Sequence, residues 1–97
     1  MTVARIYRMS CAPGKRDELR GALEALAGAL GEIEGLQSVA VLRDVEQQDD
    51  FVFVEKWASI QAQKNSGKSL PKQAFAQVMA ALADKPCSRS FECLLEA

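Results

Sequence analysis

Glu55 and Trp57 stand two positions apart in FVFVEKWAS, at the end of an otherwise apolar run. On an extended chain that spacing places carboxylate and indole on one face. A carboxylate in such a place can serve as a general base once desolvation raises its pKa. It can equally pair with an arginine across the sheet, and Arg5 and Arg8 are the candidates. Trp57, the only tryptophan, has two roles open to it. It can wall a pocket for an aromatic molecule, or simply fill core, since an indole buries up to ~250 Å². Tyr7 can donate a hydrogen bond to a substrate oxygen or keep its hydroxyl wet at a sheet edge. Phe75 and Met79 fall on the apolar face of a helical stretch, where they fill core and can also line a cavity.

The chain contains no histidine and no CxxC, only Cys11, Cys87 and Cys93. Zinc and haem sites draw on those residue types, so no metal and no cofactor is expected. An odd number of cysteines fits reduced thiols in the cytoplasm. Cys11 and Cys87, at facing ends of the first and last strands, are either a redox pair or two inert thiols.

Ninety-seven residues are expected to form one domain spanning 1–97. Apolar residues make up 48% and charged residues 26%, a balance that builds a core and excludes disorder. The net charge is −1, and basic residues are interspersed with acidic ones, as in GKRDELR. That pattern argues against nucleic acid and anionic membranes as partners. No apolar run reaches the ~20 residues of a membrane span. MTVARIYRMS carries arginines and lacks a signal peptide's apolar centre, so a cytoplasmic location is expected.

These residues need elements to position them. Val3 to Met9 alternates as a strand, and CAPGK breaks it. From about Lys15 the period becomes helical, with Leu19, Leu23, Leu26, Leu30 and Ile33 on one stripe. Gly31 and Gly35 bracket its end. LQSVAVLR and FVFVEKW, joined by DVEQQDD, read as a hairpin. Ser59 or Ala58 caps a short helix to about Asn65, and Pro71 opens another that carries Phe75, Val78, Met79 and Leu82. Arg89 to Leu95 reads as a last strand, with Phe91, Cys93 and Leu95 on one side. The order β-α-β-β-α-β predicts an α+β, ferredoxin-like fold, a four-stranded antiparallel sheet with helices on one face.

Helices on one face leave the other face to be accounted for. Val52 and Val54 oppose Phe51, Phe53 and Trp57, and the strand before is apolar on both sides too. Half a dozen such side chains buried against a second sheet would contribute on the order of 10 kcal/mol before association costs. A homodimer through the sheet face is expected.

The first strand running into PGKRDEL, the EGLQS segment and above all FVFVEKWASIQA resemble the antibiotic biosynthesis monooxygenase family, of the dimeric α+β barrel superfamily. Its members typically show glutamate, one residue, an aromatic, then Ser and Ala; Glu55, Trp57, Ser59 and Ala62 stand in those places. The resemblance covers nearly the whole chain. It implies a cofactor-independent monooxygenase-like enzyme acting on a small aromatic or quinol-type molecule. Two other readings stay open: a non-enzymatic ligand-binding or interaction module, and an isomerase or degrader of a small carbonyl compound. Relatives often place a polar pocket group, in many a histidine, on the helix after the third strand. Here Asn65 and Ser66 occupy that place, as candidate catalytic groups beside Glu55. Haem degradation needs the histidine as iron ligand, and this chain has none.

Overall fold

The computed structural model describes residues 1–97. Strand β1, Val3–Ser10, leads through a turn at Gly14 into helix α1, Arg16–Leu30. Asp17 and Glu18 occupy the first turn of α1, where the helix dipole favours negative charge. Leu19, Leu23, Leu26 and Leu30 form its buried stripe. The helix stops at Gly31, so Ile33 lies beyond it in a turn and reaches the core only partly. This corrects the expectation that Ile33 continues the stripe. Strand β2, Leu36–Arg43, and strand β3, Asp50–Trp57, follow. Asp44 shapes the turn between them, its Oδ1 accepting the N–H groups of Glu46 and Gln47 at 2.8 and 3.1 Å. Those donors hold its carboxyl below the usual aspartate range.

Helix α2, Ile60–Asn65, begins at Ser59, whose Oγ accepts from the Ala62 N–H at 3.0 Å. A 3₁₀ turn, Ser66–Lys68, separates it from helix α3, Lys72–Ala80. Strand β4, Cys87–Glu92, closes the fold. It starts and ends earlier than the sequence suggests. Cys93–Ala97 continues past the ladder, with Leu94 and Leu95 85% and 89% exposed. Two ties hold it: the Cys93 N–H donates to the Thr2 carbonyl at 2.9 Å, and Glu96 pairs with Lys56. Ser59→Ala should cost about 1 kcal/mol, the usual worth of an N-cap hydroxyl. Urea denaturation checks this, and an unchanged midpoint would show that tertiary contacts alone hold the start of α2.

The strand order is β2-β3-β1-β4, every pair antiparallel, which is the ferredoxin-like α+β plan. Register sets the two faces. Phe51, Phe53, Glu55 and Trp57 of β3 lie beside Met9, Tyr7, Arg5 and Val3 of β1. All four of these β3 side chains are buried, so this face carries the helices. The other face bears Ile6, Leu42, Val52, Val54 and Phe91, with Arg8 and Arg89 among them. Leu42 and Phe91 remain 50% and 47% exposed there. Because α3 packs on α1, it leaves β4 uncovered: all six β4 residues are exposed. One flank of the helix side therefore opens to solvent, and it is the flank next to Tyr7 and Arg5. No helix is long and apolar enough to cross a membrane.

Candidate functional site

Period-two alternation delivers Glu55 to the helix-bearing face, where it is only 2% exposed. A carboxylate at that depth needs donors. The Trp57 indole N–H supplies one, donating to Glu55 Oε1 at 3.0 Å. The ring of Trp57 is itself 1% exposed, so it packs as core and acts on the site through its N–H. Burial pushes the Glu55 carboxyl above its usual range; the Trp57 N–H, the Arg5 charge and the Tyr7 hydroxyl pull the other way without cancelling it. Tyr7 is raised too, chiefly by burial and then by the Glu55 charge, with Arg5 opposing.

Tyr7, Glu55, Phe75 and Met79 line one cavity of about 40 Å³ between sheet and helices, closed by Leu26 of α1 and by Pro86. The Tyr7 ring meets Phe53 edge-on, with centroids 6.1 Å apart. Phe75 is half-buried and Met79 is 47% exposed, so the α3 wall is partly a solvent boundary. Four of the seven expected site residues thus come together, and Trp57 stands directly behind them.

Asn65 and Ser66 lie elsewhere. They line a separate depression with Gly35, Ser59 and Ser69, at the junction of α2 with the turn before β2. Their polar groups are engaged locally: Ser66 Oγ donates to the Gln63 carbonyl at 2.6 Å, and Asn65 Oδ1 accepts from Gln61 at 3.0 Å. A larger open depression, about 600 Å³, sits at the sheet end carrying Asp44, Asp50 and Lys85, away from Glu55.

The arginine expectation divides. Arg8 is on the opposite face, paired in register with Val52 and Cys87, and cannot meet Glu55. Arg5 is directly opposite Glu55, yet makes no close ion pair with it. Its guanidinium turns to β4 instead, Nη1 donating to Ser90 Oγ at 3.0 Å and Nη2 to Ser88 Oγ at 2.9 Å. The same group lies 5.5 Å above the Tyr7 ring, within cation–π range. Ser88 and Ser90 went unread in the sequence, where CSRSFE looks like an ordinary polar edge strand. The one available signal was the S-x-S spacing, which puts both hydroxyls on one face. All three cysteines are free thiols: Cys11 is buried in the core, while Cys87 is exposed on the opposite face of the sheet. No three Cys, Asp or Glu side chains gather in a metal-binding group.

A carboxyl whose folded pKa is raised stabilises the fold most below its ordinary value, near 4.5, and loses that contribution as pH rises through the folded value. Over that window the folded state binds more protons than the unfolded one, so unfolding free energy falls with pH. Glu55→Gln keeps an acceptor for Trp57 and removes the titration. The variant should therefore gain on the wild type as pH climbs from about 4.5. Denaturation curves at several pH values check this, and parallel profiles for the two proteins would contradict it.

Residues 2–84 match the model of the family described as antibiotic biosynthesis monooxygenase. Among solved structures, Rv0793 from Mycobacterium tuberculosis is 24% identical with a TM-score of 0.84, covering 100% of this chain and 99% of that one. SnoaB, a cofactor-independent oxygenase from Streptomyces nogalater, is 13% identical with a TM-score of 0.83, covering 98% and 95%. PA3566 from Pseudomonas aeruginosa is 19% identical with a TM-score of 0.81, covering 97% and 95%. At such identities these three likenesses establish the fold. None of the curated proteins matches. With the match over residues 2–84 spanning most of its length, the chain belongs to the antibiotic biosynthesis monooxygenase family.

Proposed function

We propose that this chain is a cofactor-independent monooxygenase-like enzyme acting on a small aromatic, quinol-type molecule in the cleft between sheet and helices. The observation that carries the reading is Glu55: buried, pushed toward its neutral form, held by Trp57 and facing the apolar cavity beneath Phe75 and Met79. A general base works best with a pKa near the operating pH, and burial moves Glu55 in that direction. Glu55 takes the proton of an acidic substrate group, and the electron-rich anion left behind passes electrons to dioxygen. For a hydroquinone the balance is quinol plus dioxygen giving hydroxyquinone plus water: one oxygen atom replaces a ring hydrogen as hydroxyl, and the other leaves as water. Tyr7 orients the substrate oxygen, and the apolar walls keep water out.

A cavity of about 40 Å³ holds dioxygen or a few waters and is too small for an aromatic ring. The ring enters by displacing Met79 and Phe75, and an unbranched methionine adapts readily to such a change. Oxygen uptake with a panel of hydroquinones tests the assignment. Glu55→Gln should slow uptake by about 100-fold or more, the usual scale for a lost general base. Trp57→Ala should slow it as well. Turnover indifferent to both changes would remove Glu55 and Trp57 from the site. Tight binding of the quinols without oxygen uptake would make the protein a binding module.

The apolar face of Ile6, Leu42, Val52, Val54 and Phe91 supports a homodimer through facing sheets. Exposed apolar side chains grouped on one sheet face mark an interaction surface. Sedimentation at micromolar concentration should give a dimer, and Val54→Arg, at its centre, should give a monomer. A monomeric wild type would end this part of the reading.

A further inference from the structure

Arg5 holds a positive charge that no carboxylate in the chain offsets at close range. Its Nε is buried and has no hydrogen-bond partner. A guanidinium part-buried beside an apolar cavity is costly to leave without a counter-charge. Ser88 and Ser90 do not supply one. Each serine Oγ accepts an Arg5 N–H, at 2.9 and 3.0 Å, which leaves each O–H free to donate. Both serines belong to the strand that α3 leaves uncovered, and both are exposed. On the helix side of β4 there are therefore two hydroxyl donors, backed by one cation, at the open flank of the cleft. Beside them the Tyr7 ring, under Arg5, continues into the apolar wall of Phe75, Met79 and Pro86.

From this juxtaposition we infer that the cleft takes an aromatic carboxylate, its anionic head on Arg5, Ser88 and Ser90 and its ring against Tyr7, Phe75 and Met79. Two donors in front of a cation match a two-oxygen head, and a charge-assisted contact is about twice as strong as a neutral one. Glu55 faces Arg5 from β3, and Glu92 is next on the same face of β4. These two carboxylates bound the anion site on either side, so the head seats at the Ser88 end, nearest Tyr7. The inference rests on the reading of the cleft as the substrate site, and it narrows that substrate to acidic aromatics.

The test compares 2,5-dihydroxybenzoate with 2,5-dihydroxybenzamide, a pair alike in shape and different in charge. Binding is followed anaerobically by calorimetry and by Trp57 fluorescence, and oxygen uptake is measured separately. The wild type should bind the acid at least tenfold more tightly than the amide. Arg5→Gln should abolish that preference, weakening the acid at least tenfold and the amide far less. Ser88→Ala/Ser90→Ala, with circular dichroism to confirm that the variant is folded, should weaken the acid severalfold and the amide less. Equal binding of acid and amide by the wild type overturns the inference, as does a preference that survives Arg5→Gln, or failure of both to bind. Selective binding of the acid without oxygen uptake sustains the anion site and overturns the oxygenase assignment. Equal binding of acid and amide together with oxygen uptake overturns the anion site and sustains the oxygenase.

Discussion

Trp57→Ala should lower the stability of this protein by about 3–5 kcal/mol, the range for emptying a buried indole position. That is a large part of the ~5–15 kcal/mol holding a typical domain together. Two losses combine. The ring is 1% exposed, and its N–H is the donor to a carboxylate that is itself only 2% exposed. Trp57→Phe separates them, because it keeps most of the packing and removes only the donor. It should cost about 1–3 kcal/mol, the penalty of stranding a buried acceptor. The Trp57 N–H lowers the Glu55 pKa, so the phenylalanine variant should carry that pKa higher. Its loss of stability with rising pH should accordingly extend further upward. Urea titrations of both variants across pH check these expectations. A cost below about 1 kcal/mol for Trp57→Ala would mean that the core closes over the gap, against the usual behaviour of large cavities.

Gly35→Ala should cost about 2–5 kcal/mol, from two independent sources. Gly35 has φ +85°, in the region that costs an L-residue about 1–2 kcal/mol. A Cβ there would also stand 2.6 Å from the Cβ of Ala62 on α2. Forcing extra atoms into such a contact costs about 1–3 kcal/mol more. The Gly35 carbonyl accepts the Ala58 N–H at 2.7 Å, so the junction cannot easily shift to make room. Ala62→Gly in the same chain should recover the steric share and none of the backbone share. A full recovery would assign the whole cost to the clash, and no recovery would assign it to φ. Either extreme is readable by a double-mutant cycle.

Much of this could be read from the residues alone. The leucine stripe of α1 and the two-faced FVFV run are local patterns, and local patterns determine element type. They also placed Glu55 and Trp57 on one face. What escaped was set by partners distant in the chain. Whether Arg5 would meet Glu55 depended on a guanidinium choosing between β3 and β4, and the serines that won it are invisible until register is known. Asn65 and Ser66 sit at the right count along the sequence. The chain turns into a 3₁₀ segment there, and both residues end at a different concavity from Glu55. Ile33 keeps the helical count but not the helix, because the chain leaves the helix at Gly31. Cys93 and Leu95 keep the strand's alternation past its last ladder residue, Glu92.

The strand order also carries a temporal consequence. β1 lies in the middle of the sheet, yet one of its neighbours, β4, is made of residues near the other end of the chain. The Arg5 contacts with Ser88 and Ser90 span 83 and 85 positions. On a ribosome, β1 emerges before β2, β3 and β4, and that side stays unpaired until β4 has followed. Pairings of such sequence separation form late and slow folding, since the closing loop must be ordered before the contact rewards it. The hairpin of β2 with β3 can form early; the serine-backed guanidinium cannot. A nascent or truncated chain lacking β4 would therefore show a sheet with an open edge and no assembled polar cluster. The polar edge of the cleft is completed only when the last strand of the fold is in place.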